Sequence, residues 1–379
     1  VNIGEVTLVD NSIKYTLDGA TPTNGTLNPN AIALEKMSLG LRDIKLQDKL
    51  ITADLLNASV IEASGLNLED LNFTLKVTDE LIDVNDLKFK LNENYLEGDL
   101  EVGYASLASF IETPGSATMN LNIPNIIADL KTAFLFQPEL KDNIYINKLS
   151  NRKLTGSLVA TGKLDDLTIK PSRFNWGNTT FLSLQGTVYN ATNPDKLSYN
   201  FPTYRIQSIR SDLNRFLDEK ELGIQFPELV RLSGSLKGST TRAITKSKLE
   251  TTDGIVVLDG NAAFGESIAF DGTVTATEIR LGKLLQNEML GVLDLNLTAK
   301  GSGSTINDLD AQVNATVNSL DFNEYTFKDL ALEGNFNKGK GNLVSAYKDE
   351  NLNMKFDADV TLDSVASSAT VNLDLIGAD

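Results

Sequence analysis

The chain of 379 residues contains no cysteine and no histidine. Without them a thiol nucleophile, a Ser-His-Asp triad, an imidazole general base and a Cys/His zinc site are out of reach. The lack of cysteine also removes any disulfide framework, which is compatible with a cytoplasm or with a bacterial periplasm. Aromatic residues make up only 7% of the chain, with a single tryptophan, Trp176, so an extensive apolar surface has to be aliphatic. There is no run of the ~20 apolar residues that a helix needs to span a bilayer. The most apolar helix-like stretch, Ile126 to Phe136, is interrupted by Asp129 and Lys131. Basic charge is scarce too, with 34 Lys+Arg against 51 Asp+Glu and a formal net charge of -17. Such a surface repels phosphate backbones and anionic headgroups, which argues against nucleic acid and against polybasic membrane docking. It favours solubility, which matters for a sheet with exposed edges. The chain opens in mid-pattern on Val1-Asn2-Ile3-Gly4 and reads as a segment of a longer protein, any membrane anchor lying outside it.

What the chain has in abundance is period-two alternation. Leu309, Ala311, Val313, Ala315 and Val317 interleave with Asp310, Gln312, Asn314 and Thr316; Leu352, Met354, Phe356, Ala358 and Val360 interleave with Asn353, Lys355, Asp357 and Asp359. Shorter runs do the same at Phe73/Leu75/Val77, Leu87/Phe89/Leu91, Met119/Leu121/Ile123, Leu293/Leu295/Leu297 and Val371/Leu373/Leu375. Successive strand side chains point to opposite faces, so each run builds one apolar and one wet face. One-sided strands of this kind belong to antiparallel sheets. At about 12 residues per strand the chain would hold roughly thirty strands. Helical patterns are few: Pro124 to Phe136, Ser208 to Leu222, Ile279 to Leu290 and Ser106 to Ile111. These are too few to cover the apolar face, so the sheet must close, pack on another sheet or leave a groove.

A repeat underlies the alternation. A Leu-x-Gly ending recurs at Leu96-Glu97-Gly98, Leu184-Gln185-Gly186, Leu258-Asp259-Gly260 and Leu332-Glu333-Gly334, with glycine spacings of 88, 74 and 74. Leu154-Thr155-Gly156-Ser157-Leu158 reappears 78 residues on as Leu232-Ser233-Gly234-Ser235-Leu236, and one helical pattern falls in each unit. Asp-Leu pairs (Asp70-Leu71, Asp86-Leu87, Asp166-Leu167, Asp308-Leu309 and Asp329-Leu330) are expected to mark the step from turn to strand, where Asp can bond the nearby backbone. No Pro/Ser-rich linker interrupts the pattern. One array is expected, residues 1–115 forming its first part and 116–379 the helix-plus-strand repeats.

These features resemble the AsmA/TamB group of bacterial envelope proteins, TamB being a translocation and assembly module subunit. The resemblance rests on Leu154-Thr155-Gly156-Ser157-Leu158 through Leu164-Asp165-Asp166-Leu167-Thr168-Ile169 and on Leu309-Asp310-Ala311-Gln312-Val313, and it is strongest from about residue 120 onward. It implies an all-β, elongated antiparallel β-taco, a sheet folded into a U that is hydrophobic within and polar without, with a few short helices. It further implies a periplasmic protein, anchored in the inner membrane through residues outside this segment, that bridges toward the outer membrane and takes part in its biogenesis. Phospholipids and a TamA-like outer-membrane β-barrel are the partners it implies.

Other chemistry has weaker grounds. The carboxylate groups Asp165-Asp166, Asp308/Asp310 and Asp357/Asp359 could in principle serve glycoside hydrolysis, but alternation puts Asp357 and Asp359 on the wet face, where no pocket raises a pKa. Trp176 reads as packing in a hydrophobic seam rather than as a sugar platform. The stripes themselves, lean in aromatics, suit flexible acyl chains better than an interlocked core. Phe89, Leu121, Leu295, Leu297, Val313, Val317, Phe356, Val360 and Leu373 are the expected lipid-groove lining. The expectation is a bridge-like lipid transport protein carrying phospholipid chains between inner and outer membrane. No enzymatic step, metal or cofactor enters that reading, and nucleic acid is not among its partners. The alternative is a scaffold or chaperone for outer-membrane β-barrel assembly that offers a sheet edge to client strands.

Overall fold

A computed structural model describes residues 1–364 and 366–378. The alternating segments fold as antiparallel strands in two compact units, Val1–Leu197 and Ser198–Asp379, and within each unit a strand pairs with the next in sequence. Residue 115 lies inside the first unit.

The strands of the first unit are β1 (Asn2–Thr16), β2 (Ala31–Gln47), β3 (Leu50–Glu62), β4 (Asn67–Val77) and β5 (Leu81–Leu91). They continue as β6 (Asn94–Gly103), β7 (Thr118–Ala128), β8 (Leu154–Lys163), β9 (Asp166–Trp176) and β10 (Thr180–Tyr189). Every successive pair from β1–β2 to β9–β10 is an antiparallel ladder. The second unit begins with β11 (Ser198–Ile209), β12 (Leu229–Ser239), β13 (Arg242–Thr251), β14 (Gly254–Phe264), β15 (Ile268–Arg280) and β16 (Leu290–Gly303). It ends with β17 (Asp310–Phe322), β18 (Tyr325–Asn337), β19 (Lys340–Lys348), β20 (Leu352–Thr361) and β21 (Ser368–Ala378). It too is a meander of antiparallel neighbours. The 21 strands among the described residues fall short of the roughly thirty expected because several run long, β2 to 17 residues, and connecting segments take up the rest.

Three of the four expected helical stretches are shorter than their sequence patterns; the fourth, Ser106 to Ile111, is helical over Leu107–Glu112 with Ser106 as its cap. Pro124 to Ala128 belongs to β7, and the helical part is a 3-10 turn at Leu130–Thr132 that runs into one α-helical turn at Ala133–Phe136 (α2, after α1 at Leu107–Glu112). A further helix, α3 (Ile144–Leu149), has no counterpart among the sequence patterns. Ser208 and Ile209 close β11; the expected helix resolves into two single turns, α4 (Arg210–Leu213) and α5 (Glu219–Leu222), the second capped by Asp218 and ended by Gly223 at φ 65°. Likewise Ile279 and Arg280 end β15, leaving α6 (Leu281–Leu285). At these points the first residues of each helical pattern are the last residues of a strand, and over so few residues the two apolar periods look alike.

The repeat is a four-strand unit. Its Leu-x-Gly glycines fall on β6, β10, β14 and β18, and Gly156 and Gly234 on β8 and β12. The helical inserts between β7 and β8, β11 and β12, and β15 and β16 recur at the same interval. The Asp-Leu pairs prove mixed. Asp166 opens β9 and Asp308 closes the turn before β17, but Asp70, Asp86 and Asp329 lie within strands. Asp86 and Asp329 adopt left-handed backbone, φ 53° and 55°. At Asp86 the register slips between Val84 and Leu87, and its displaced N–H is taken by the Asp99 carboxylate of the next strand at 3.0 Å. The bulge keeps Val84 and Leu87 on one face, so here aspartate preserves the apolar side rather than opening the strand.

The apolar side is not sealed into a dry core. Among the described residues the buried cluster is small, Val102, Tyr104 and Ala117 with Ile82, Leu100, Phe110, Met119 and Leu164 packed against it, and other buried hydrophobics such as Ile123, Ile279 and Val317 are spread along the strands. The chain of 41.2 kDa exposes 22228 Å², against about 15,000 Å² for one compact globule of that mass or about 18,000 Å² for two globules of half the mass.

Candidate functional site

Register settles which side chains share a face. In the second unit Val256, Ala276, Leu295 and Val317 stand opposite one another across β14 to β17, and Leu330 continues the row on β18. The neighbouring row runs Leu258, Val274, Leu297, Ala315, Leu332. A third passes from Ala299 and Val313 through Gly334 and Leu343 to Ala358 and Val371. Phe356 faces Leu373, and Val360 faces Gly341 and Ala369, on this same side. The seven expected lining residues of this unit therefore lie on one continuous aliphatic face.

In the first unit Leu75, Val84, Leu100, Leu121, Ala160 and Ile169 form one row across β4 to β9. Leu71, Phe89, Leu96 and Ile126 form a second. Leu96 and Leu100 alternate on β6, so Phe89 and Leu121 share a face as expected. Phe89 and Leu96 border a hollow of about 360 Å³ that is completed by Phe136 of α2. In the second unit Gly260, Ala262, Gly272 and Ala299 interrupt the larger side chains and leave a hollow of about 270 Å³ beside Leu258 and Phe270.

Most of these side chains are half-buried. Val317 is the most enclosed of the expected lining at 5% exposure and Leu373, on the terminal strand, the least at 54%. The opposite face is charged. Lys246 meets Asp259 at 2.8 Å and Lys300 meets Asp271 at 3.6 Å. Asp357 and Asp359 are exposed there together, the Asn342 amide donating to both at 2.6 and 3.3 Å. Exposed pairs of this kind add little stability, and they keep the outer surface wet.

The rims carry the helical inserts. In the second unit the Arg210 guanidinium grips Glu219 through two bonds of 2.7 and 2.8 Å, and the Phe226 N–H donates to the same carboxylate at 2.6 Å. The Arg210 hydrogen bond is the main reason the Glu219 pKa falls to about 2. Lys283 of α6 reaches the buried Asp253 carboxylate at 2.6 Å. In the first unit Trp176 is 4% exposed; its indole N–H donates to the Leu149 carbonyl at 2.7 Å and Arg152 lies over the ring. It packs in a seam, as its sequence context indicates.

The other carboxylate groups have local partners. Asp308 takes hydrogen bonds from Ser304 and Thr305, which hold it well below the usual carboxylate range. Asp310 accepts from the Lys338 N–H at 2.8 Å. Asp165 accepts from the Thr192 hydroxyl at 3.4 Å, and Asp166 is exposed at the start of β9. Among the described residues no three acidic side chains gather as metal ligands, and no helix is long and apolar enough to cross a membrane. One polar feature escapes sequence reasoning, a cleft between β18 and β19 lined by Tyr325, Tyr347 and Asp349. Its only sequence signal is a pair of tyrosines in otherwise aliphatic alternation.

Comparison with protein-family models, curated proteins and solved structures finds no match for this chain.

Proposed function

We propose that the aliphatic faces hold lipid acyl chains while the headgroups stay in water at the margin. On this reading the protein is a bridge-like carrier of phospholipid in the periplasm, belonging to the AsmA/TamB group that its sequence resembles. The observation that carries the proposal is the row Leu258, Val274, Leu297, Ala315, Leu332: five strands deep and wholly aliphatic, exposed at Leu258 and half-buried from Val274 to Leu332 rather than sealed from water. A folded protein gains about 25 cal/mol for each Å² of apolar surface taken from water, so a half-covered face of this extent is well suited to a further apolar guest. Each CH₂ moved between bilayer and groove exchanges one apolar setting for another. A chain can therefore slide with little net change in free energy.

The test is lipid extraction from the purified protein followed by mass spectrometry. Val313→Asp puts a charge among the tails at a half-buried site that can still admit water. The expected outcome is a clear fall in bound phospholipid with circular dichroism unchanged. Lipid-free wild-type protein, or undiminished lipid in the variant, would count against the proposal.

A second reading, a scaffold that receives client strands, draws on β21. Among the described residues this strand pairs with β20 alone, and it carries exposed Val371, Leu373 and Leu375 along an open edge.

A further inference from the structure

β18 and β19 part along their length. They are hydrogen-bonded from the Glu333–Val344 pair to the hairpin at Asn337–Lys340 and no further. Beyond that point β18 still pairs with β17 as far as Tyr325, and β19 with β20 as far as Lys348. Residues 325–332 and 345–348 thus each present one backbone edge with no strand against it among the described residues. The result is a fork inside a sheet. The left-handed Asp329 lies on the β18 arm.

Two hydroxyls stand in the gap. The Ser345 hydroxyl donates to the Ala331 carbonyl at 2.6 Å, and the Lys328 N–H donates to the Tyr347 hydroxyl oxygen at 3.3 Å. At the open end both tyrosine hydroxyls, Tyr325 and Tyr347, donate to the Asp349 carboxylate. That carboxylate also takes the N–H groups of Asn351 and Leu352. The cavity between the arms measures about 640 Å³. Its charged lining is Glu324, Asp329, Asp349 and Glu350 against Lys328 and Lys348, an acidic excess of two.

Backbone groups inside a sheet are obligatory hydrogen-bonding partners. Here a serine and a tyrosine hydroxyl each satisfy one group that a neighbouring strand would otherwise satisfy. We infer that the fork is a docking slot for an extended polypeptide segment with a basic residue at the acidic mouth, which enters as a strand between β18 and β19. The Ser345–Lys348 arm sets the length of the guest at about four residues, or about 13 Å of extended chain. The entering strand exchanges the two hydroxyl bonds for ladder bonds on both of its edges. That separates it from addition at β1 or β21, where a guest would be bonded on one edge only. Lipid on the aliphatic face plays no part in this slot.

The probe is a fluorescein-labelled hexapeptide, Lys-Val-Thr-Val-Thr-Lys, measured by fluorescence anisotropy on the unaltered protein. Two further peptides carry N-methyl amides on one edge or on the other. Insertion in the fork predicts that both methylated peptides lose affinity, whereas edge addition leaves one of them binding like the parent. Ser345→Ala combined with Tyr347→Phe removes the competing hydroxyls and should raise affinity about tenfold, the worth of two hydrogen bonds near 0.7 kcal/mol each. Absence of parent-peptide binding, a methylated peptide that binds like the parent, or an affinity unmoved by the double substitution would each overturn the inference.

Discussion

Gly98 faces Leu87 on the apolar side of β5–β6, and a β-carbon there would sit 2.1 Å from the Asn122 carbonyl oxygen of β7. A β-carbon at Gly234 of β12 would sit at the same distance from the Lys246 carbonyl oxygen of β13, again the next strand in the chain. These glycines let backbone approach backbone on the inner face. Their recurrence in the sequence was legible, but the close approach was not, because it depends on the neighbouring strand. Gly98→Ala and Gly234→Ala should each cost about 1–3 kcal/mol in denaturant unfolding. Gly4, where an added β-carbon would meet nothing within 4 Å, should tolerate the same change within about 0.5 kcal/mol. Equal effects at the three sites would contradict the assignment. The Asp-Leu pairs mark where residue-level reading falls short. Aspartate prefers turns and also tolerates left-handed backbone, and only the register distinguishes a strand opening, as at Asp166, from a bulge, as at Asp86.

At the scale of elements, alternation located the strands well, since a half-buried strand leaves a period of two in every window. It located α1 to within a residue and the other helices poorly. α4, α5 and α6 are single turns held by side chains from elsewhere, so local periodicity overstated their length. The Arg210–Glu219 pair illustrates the hold. Glu219 has its pKa lowered to about 2 from an ordinary value of 4.5. A depressed carboxylate pKa contributes stability that is fully present above the unfolded value and is lost as pH falls through the folded one. Amide exchange across 210–226, corrected for intrinsic rates, should therefore accelerate progressively between pH 4.5 and about 2. Glu219→Gln should show the faster exchange already at about pH 6 and lose that pH dependence. A wild-type profile that is flat through this window would show that the clamp does not order the insert.

Over the whole molecule, the all-β class and the one-sided apolar pattern were open to reading from the sequence. The nine expected lining residues fall on apolar faces because one face of a strand cannot change without a register slip, and the bulges preserve it. The fork between β18 and β19 was hidden, because nothing local tells a strand that its neighbour has left. Each strand packs chiefly on its neighbours in sequence, so neither unit has a central core that must form at once. Urea unfolding should accordingly be broad, with an m-value below that expected for a compact protein of 379 residues; a single sharp two-state transition would argue for a shared core. The most direct test of the central claim uses the absence of cysteine. Single cysteines at Val313 and Asn314, adjacent in β17 but on opposite faces, are labelled with a small fluorophore and exposed to phospholipid bearing a nitroxide on its acyl chain. Acyl chains on the aliphatic face predict strong quenching at position 313 and little at 314. Equal quenching, or quenching at 314 alone, would contradict it.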